Sequence, residues 1–212
     1  MEYLSKNETK VNRQEFKNFF DKLTKKLGNE WSISYRLVGS AKRNLVLVGN
    51  EGYDLDYHIY LQKSPNLSDK DIKLKFKSEL DNIIETYNLT PCEDSTHVLT
   101  TKRLENKKLI YAYDVAIMRK NKNDEYLILK NEKTDNNGNG PYHFVEVPKA
   151  SDFANKYNMI SGVEQWKKLR SIYKGKRESQ QSLSKDLRKH SFSLLIEAVN
   201  ETIDYAKMEA LK

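Results

Sequence analysis

Three aspartates stand out by the company they keep. Tyr53-Asp54-Leu55-Asp56-Tyr57-His58 carries two carboxylates two residues apart, and Asp114 interrupts the apolar run Ala112-Tyr113-Asp114-Val115-Ala116-Ile117. On a strand, alternate residues share a face. Asp54, Asp56, His58 and Tyr60 then point one way, while Leu55, Tyr57, Ile59 and Leu61 point into a core. Two carboxylates on one face repel each other, and folding has no use for the pair. A divalent cation resolves the conflict, because hard cations such as Mg²⁺ favour carboxylate oxygens and commonly bridge to substrate phosphates. A third carboxylate from a neighbouring strand completes a site able to hold two metals. Asp114 shares its side of the strand with Ile110, Ala112, Ala116 and Met118. A carboxylate among such residues costs several kcal/mol unless it is paired or bound to metal. Ala112 and Ala116 also leave room for a ligand.

Ahead of the acidic strand stands Val38-Gly39-Ser40, followed by a thirteen-residue spacer, 41 to 53, and then Asp54-Leu55-Asp56-Tyr57. The ordered set of Gly-Ser, Asp-x-Asp and a later strand aspartate resembles the nucleotidyltransferase superfamily of the DNA polymerase beta type. The resemblance covers roughly residues 33 to 118, with a spacer towards the long end of the family's range. It implies that Asp54, Asp56 and Asp114 are the catalytic, metal-holding acids, with Mg²⁺ or Mn²⁺ as the cofactor. It also implies that Gly39 and Ser40 meet a nucleotide phosphate, Gly39 by letting the backbone approach closely. Lys42 and Arg43 can reach phosphates from the short helix that follows. His58, on the acidic face, can line the pocket or orient an acceptor.

The remaining composition sets bounds. The chain has 212 residues, 38% hydrophobic and 32% charged, with a net charge of +7 and one cysteine, Cys92. A lone cysteine excludes an intramolecular disulfide and fits a reducing compartment. Met1-Glu2-Tyr3-Leu4-Ser5-Lys6 lacks the apolar stretch of a signal peptide. Runs such as Leu45-Val46-Leu47-Val48 are too short to span a bilayer, so the expected location is cytoplasmic, with no membrane partner. The basic balance suits a polyanionic partner, and it equally suits a Lys-rich, solubilising surface. No C-x-x-C, H-E-x-x-H or G-x-x-x-x-G-K-[ST] pattern occurs, which argues against zinc and P-loop chemistry.

The elements that must position the acids are legible in outline. Phe16, Phe19, Phe20, Leu23 and Leu27 form one stripe of a helix over 13 to 27, stopped at Gly28. Ile33, Tyr35 and Leu37 alternate as a strand entering the Gly-Ser turn. Ser40 suits the N-cap of a short helix over 41 to 47, though Leu45–Val48 reads equally as a strand. Ser68 and Asp71 form a capping-box variant ahead of Ile72, Phe76, Leu80, Ile83, Ile84 and Tyr87, a helix ended by Pro91. Strands follow over 95 to 101, 108 to 118 and 125 to 130. Thr134 to Gly140 is turn chemistry and reads as a mobile loop. The thirteen tyrosines read as core and rim packing ahead of base-stacking surfaces. After Pro148 the pattern turns helical. Trp166, Leu169, Ile172 and Tyr173 mark one helix, and Leu187, Leu194, Leu195, Ala198, Val199 and Ile203 a longer one. Lys174 to Ser182 reads as a flexible link between them.

The expected fold is α/β (α+β): a small mixed sheet with helices over 1–148, then a helical region over 149–212 closing the active site. The expected activity is metal-dependent transfer of a nucleoside monophosphate from an NTP donor to a hydroxyl, with release of pyrophosphate. The acceptor is RNA or a nucleotide by charge, or a small molecule such as an antibiotic. Lys167, Lys168 and Arg170 are candidates for a basic contact from the helical region. The rival classes are a non-catalytic nucleotide-binding interaction module and a basic nucleic-acid-binding domain in which the acidic set is coincidental.

Overall fold

The computed structural model describes residues 1–49, 52–134, 140–147, 152–184 and 187–211. The chain divides into two compact units, Glu2–Val147 and Pro148–Lys212 with Met1. The first begins with a short strand β1 (Glu2–Tyr3) and a helix α1 (Lys10–Leu27). There follow β2 (Ser32–Leu37), a single turn α2 (Gly39–Lys42), β3 (Leu47–Val48) and the long β4 (Tyr53–Lys63). Helix α3 (Asp69–Ile84) leads through a 3-10 turn to β5 (Glu93–Asp94), β6 (Val98–Glu105), β7 (Lys108–Lys120), β8 (Tyr126–Asn131) and β9 (Tyr142–Glu146).

Seven of these strands form a mixed sheet in the order β2-β4-β7-β6-β5, with β8 joining the far end of β7 and β9 pairing with β8. β4 and β7 are parallel and central, and their neighbours are antiparallel. The odd-numbered face is the core: Leu55, Tyr57, Ile59, Tyr113, Val115 and Ile117 are buried. Helices α1 and α3 supply the other half of that core with Phe16, Phe19, Phe20, Leu23, Ile72, Phe76 and Leu80. The tyrosines contribute here, since Phe16 stacks on Tyr57 at 3.5 Å between ring centroids and meets Tyr113 edge-on at 5.3 Å. Helices on one face leave the even-numbered face of β4 and β7 to the acids.

Several boundaries differ from expectation for local reasons. The helix expected over 41–47 is only α2, because Asn44 takes φ 55° and ends the turn. Leu45, Val46 and Leu47 are then buried, and β3 pairs with β1. α3 is capped at Ser68, whose Oγ accepts from the Asp71 N–H at 3.1 Å. It stops well before Pro91, where Asn88 turns left-handed at φ 53°. The expected strand over 95–101 is β5 and β6, with 95–97 between them. β9 had no clear signal, and the expected loop over Thr134–Gly140 falls at 135–139 outside the described residues.

The second unit holds α4 (Phe153–Met159), α5 (Gly162–Ser179) and α6 (Ser191–Glu209). Leu169 and Tyr173 of α5 are buried, as are Leu194, Leu195, Ala198 and Val199 of α6. Lys174 to Ser179, expected as part of a flexible link, continue α5. Lys176 is held there by Glu197 and Glu201 of α6 at 3.1 and 2.6 Å. Leu187 lies outside α6 and is 67% exposed. No helix among the described residues is long and apolar enough to cross a membrane.

Candidate active site

Parallel pairing of β4 with β7 puts residues in register side by side, and Asp56 lies directly beside Asp114. Asp54 lies beside Ala112, two positions earlier on the same face. Leu55 and Tyr57 are fully packed on the opposite face, so neither strand can slip by one residue without burying a carboxylate in the core. Ala112, Ala116 and Met118 are buried around Asp114. Asp56 and Asp114 are half-buried, whereas Asp54 is exposed.

The electrostatics follow from that placement. Burial, then the charges of Asp114 and Asp54, push the Asp56 carboxyl up from 3.8 to about 6, against the nearby Arg43 guanidinium. Asp114 is also raised by burial, opposed by a hydrogen bond and by the charge of Lys102. The hydrogen bond comes from Thr100, whose Oγ1 donates to Asp114 Oδ1 from the cross-strand position on β6. It orients one oxygen of Asp114 and leaves the other for a second partner. Thr100 was not among the residues expected at the site, because nothing local marks a threonine whose importance depends on strand register.

The Gly-Ser turn meets the acids at one point. Gly39 adopts φ +63°, and a Cβ there would sit 1.9 Å from Asp56 Oδ2, so a larger residue would displace the carboxylate. Val38 N–H donates to the Asp56 carbonyl at 2.8 Å, tying the turn to β4. Arg43 Nη1 donates to the Gly39 carbonyl at 2.9 Å. Ser40 sits inside α2, with Val38 at the N-cap position in place of the expected Ser40. The Ser40 carbonyl accepts from Leu45 N–H at 2.9 Å, closing the turn. Lys42 is exposed, and its charge, after burial, helps hold the His58 pKa below its usual value. His58 follows Asp56 on the same face, with Nδ1 at 3.5 Å from the Tyr60 hydroxyl. In the helical unit, Lys167 pairs with Glu164 at 2.8 Å and Lys168 lies 4.0 Å over the Tyr205 ring.

Among the described residues, no three His, Cys, Asp or Glu side chains close into a ready-made metal cluster. The donors present are two carboxylates in register with a third at the next position of the face. That set fits Mg²⁺, which keeps several waters and binds through one or two carboxylates plus substrate phosphates. Burial raises both carboxyls, and at Asp56 the charges of Asp114 and Asp54 add to it; a divalent ion offsets these costs.

No family model matches the chain, and no curated protein matches it by sequence. Solved structures do match. They include the Bradyrhizobium diazoefficiens CD-NTase CdnG in complex with GTP, with TM-score 0.52 and 16% identity over 84% of this chain and 49% of that one. A second is Vibrio cholerae DncV cyclic AMP-GMP synthase with the linear intermediate 5′ pppA(3′,5′)pG, with TM-score 0.57 and 17% identity over 81% and 45%. A third is the STING-associated CdnE c-di-GMP synthase from Capnocytophaga granulosa, with TM-score 0.60 and 14% identity over 94% and 61%. The fold is the one these proteins share. It is a nucleotidyltransferase-like core, and the chain spans about half the length of the structures it matches.

Proposed function

We propose that this protein is a metal-dependent nucleotidyltransferase that joins the α-phosphorus of an NTP to a hydroxyl of a second nucleotide. The observation that carries this reading is the in-register pair Asp56 and Asp114, with Asp54 on the same face, on two parallel strands whose other face is core. The placement of that pair on a core shared with cyclic dinucleotide synthases supports it. A nucleotide acceptor is favoured over RNA, because the solved relatives include one holding a linear dinucleotide.

In this reading Asp54, Asp56 and Asp114 hold Mg²⁺ or Mn²⁺. When bound, such ions neutralise the triphosphate, activate the attacking hydroxyl and stabilise the leaving pyrophosphate. Gly39 keeps the backbone clear of Asp56, so the carboxylate stays on the sheet face. Ser40, Lys42 and Arg43 lie on the same turn, where their polar groups face the triphosphate. Asp114, held by Thr100, stands on the acceptor side and takes the proton of the attacking hydroxyl. The new bond joins the acceptor oxygen to the α-phosphorus, the α–β phosphoanhydride bond breaks, and pyrophosphate leaves with its electron pair.

The test is incubation of the protein with each NTP, alone and in pairs, with and without added RNA or cell extract, in Mg²⁺ or Mn²⁺. Pyrophosphate release and the products by mass spectrometry are the readouts. Linear or cyclic dinucleotides are expected. Nucleotidylated RNA or a modified small molecule would replace the acceptor, and absence of pyrophosphate with every NTP would end the proposal.

A further inference from the structure

The acidic face does not end at Asp56. Farther along β4, past His58, it opens into a cavity of about 530 Å³ lined in part by Tyr60, Arg36, Lys63, Arg119, Lys120 and Tyr126. Register places this cavity on the same face as the acids, since Arg36 lies beside His58 and Tyr60 beside Met118. Tyr60 is four residues from Asp56, about 13 Å along a strand, so the cavity is a separate place from the one the acids occupy. Its volume lies within the range of about 300–1,000 Å³ typical of small-molecule sites.

Its chemistry is the reverse of the acidic pair. Four cationic side chains line it, and two of them are already neutralised: Arg119 by Asp69 at 3.1 Å and Lys120 by Asp124. Among the described residues, Arg36 and Lys63 have no carboxylate partner. Arg36 lies 5.3 Å over the Tyr60 ring, and Tyr126 meets Tyr60 edge-on at 4.8 Å. Tyr126 is 38% exposed, which leaves ring surface open to a planar ligand. Two unpaired cations suit one small polyanion. An extended nucleic-acid strand calls for a longer basic track, one positive group per phosphate contacted. Aromatic rings beside those cations add a surface on which a nucleobase stacks.

We propose that this cavity is a second nucleotide site, in which Arg36 and Lys63 take the phosphates and the Tyr60–Tyr126 pair takes the base, without a metal ion. Phosphate oxygens here meet guanidinium and ammonium donors directly. Binding is therefore independent of divalent cations, unlike binding at the acids. The site stands whether or not the transfer reaction proposed above is correct.

The experiment is calorimetric titration in EDTA, with ATP and GTP as probes and inorganic tripolyphosphate, guanosine and a single-stranded oligoribonucleotide as comparisons. The proteins are the wild type, D56N, Y126A and the double variant R36A/K63A, whose substituted side chains are exposed. ATP or GTP should bind the wild type and D56N alike. Affinity should fall by roughly tenfold or more in R36A/K63A, where two charge-assisted contacts go. Y126A should weaken the nucleotides several-fold and leave tripolyphosphate unchanged. The proposal is overturned if R36A/K63A binds as the wild type does, or if D56N loses the binding in EDTA. It is also overturned if tripolyphosphate binds as tightly as the nucleotides, which makes the cavity an anion site only, or if the oligoribonucleotide binds far more tightly, which makes it a strand contact. Intact nucleotide binding in EDTA with no pyrophosphate release under Mg²⁺ would sink the proposed reaction and leave this site standing.

Discussion

Replacing Asp56 by asparagine should stabilise the metal-free protein, and only above about pH 4. Asparagine keeps the shape of the side chain and removes the charge that burial, then Asp114 and Asp54, oppose. A carboxyl raised from 3.8 to about 6 favours the protonated native state. Below pH 3.8 folded and unfolded chains are both protonated there, and the group adds no pH dependence. Between 3.8 and about 6 the native state holds a proton that the unfolded chain has released, so stability falls as pH rises through that window and is flat above it. At about 1.4 kcal/mol per pH unit the full loss is about 3 kcal/mol. Partial solvent access to the half-buried carboxyl reduces it, so the expected gain for D56N is about 1–3 kcal/mol at pH 7.5 and near zero at pH 3.5. Urea denaturation in EDTA across pH 3.5–8 reads this directly. Mg²⁺ or Mn²⁺ should then raise the midpoint of the wild type and have little effect on D56N. A D56N protein less stable than the wild type at pH 7.5, or a difference that does not change with pH, would refute the reasoning.

Gly39→Ala should cost roughly 1–3 kcal/mol, because φ +63° strains any Cβ and this one lands 1.9 Å from Asp56 Oδ2. An unfolding midpoint matching the wild type would show that the turn does not press on the acid. Lys73→Ala should cost about 3–5 kcal/mol, since Lys73 is 1% exposed with Nζ 2.7 Å from Asp94 Oδ1 and 2.9 Å from the Ser95 carbonyl; a loss under 1 kcal/mol by denaturant titration would contradict it. For a nucleotide acceptor, oligoribonucleotide binding measured on filters should be weak and change shallowly with salt. Lys167→Ala should leave it unaltered; a steep salt slope that flattens in that variant would restore an RNA acceptor.

The sequence carried the faces of the sheet but not its edges. Strict alternation through Leu55, Tyr57 and Ile59 assigned a core side, and with it the side of Asp54 and Asp56, because a period of two leaves one solution. Asp114 was visible as one charge in an apolar run, whereas its pairing with Asp56 is a matter of register between strands far apart in sequence. Thr100 and the stop at Asn44 were not legible either. One depends on which β6 residue falls opposite Asp114, and the other on a left-handed backbone that asparagine permits but does not demand. Lys174–Ser179 looked like a linker because it is polar. The partners that keep it helical, Glu197 and Glu201, lie on another helix. The basic cavity around Tyr60 draws its cations from β2, β4 and β7, and no local pattern gathers them.

The central claim is that three carboxylates on one sheet face perform nucleotidyl transfer. The direct measurement is pyrophosphate release from ATP and GTP with Mg²⁺ or Mn²⁺, for the wild type and for D54N, D56N and D114N, each first shown to be folded. The account predicts turnover by the wild type and losses of about 10²-fold or more in every variant, on the order expected when metal-holding or proton-accepting groups are removed. Turnover by all three variants within a few-fold of the wild type would contradict it.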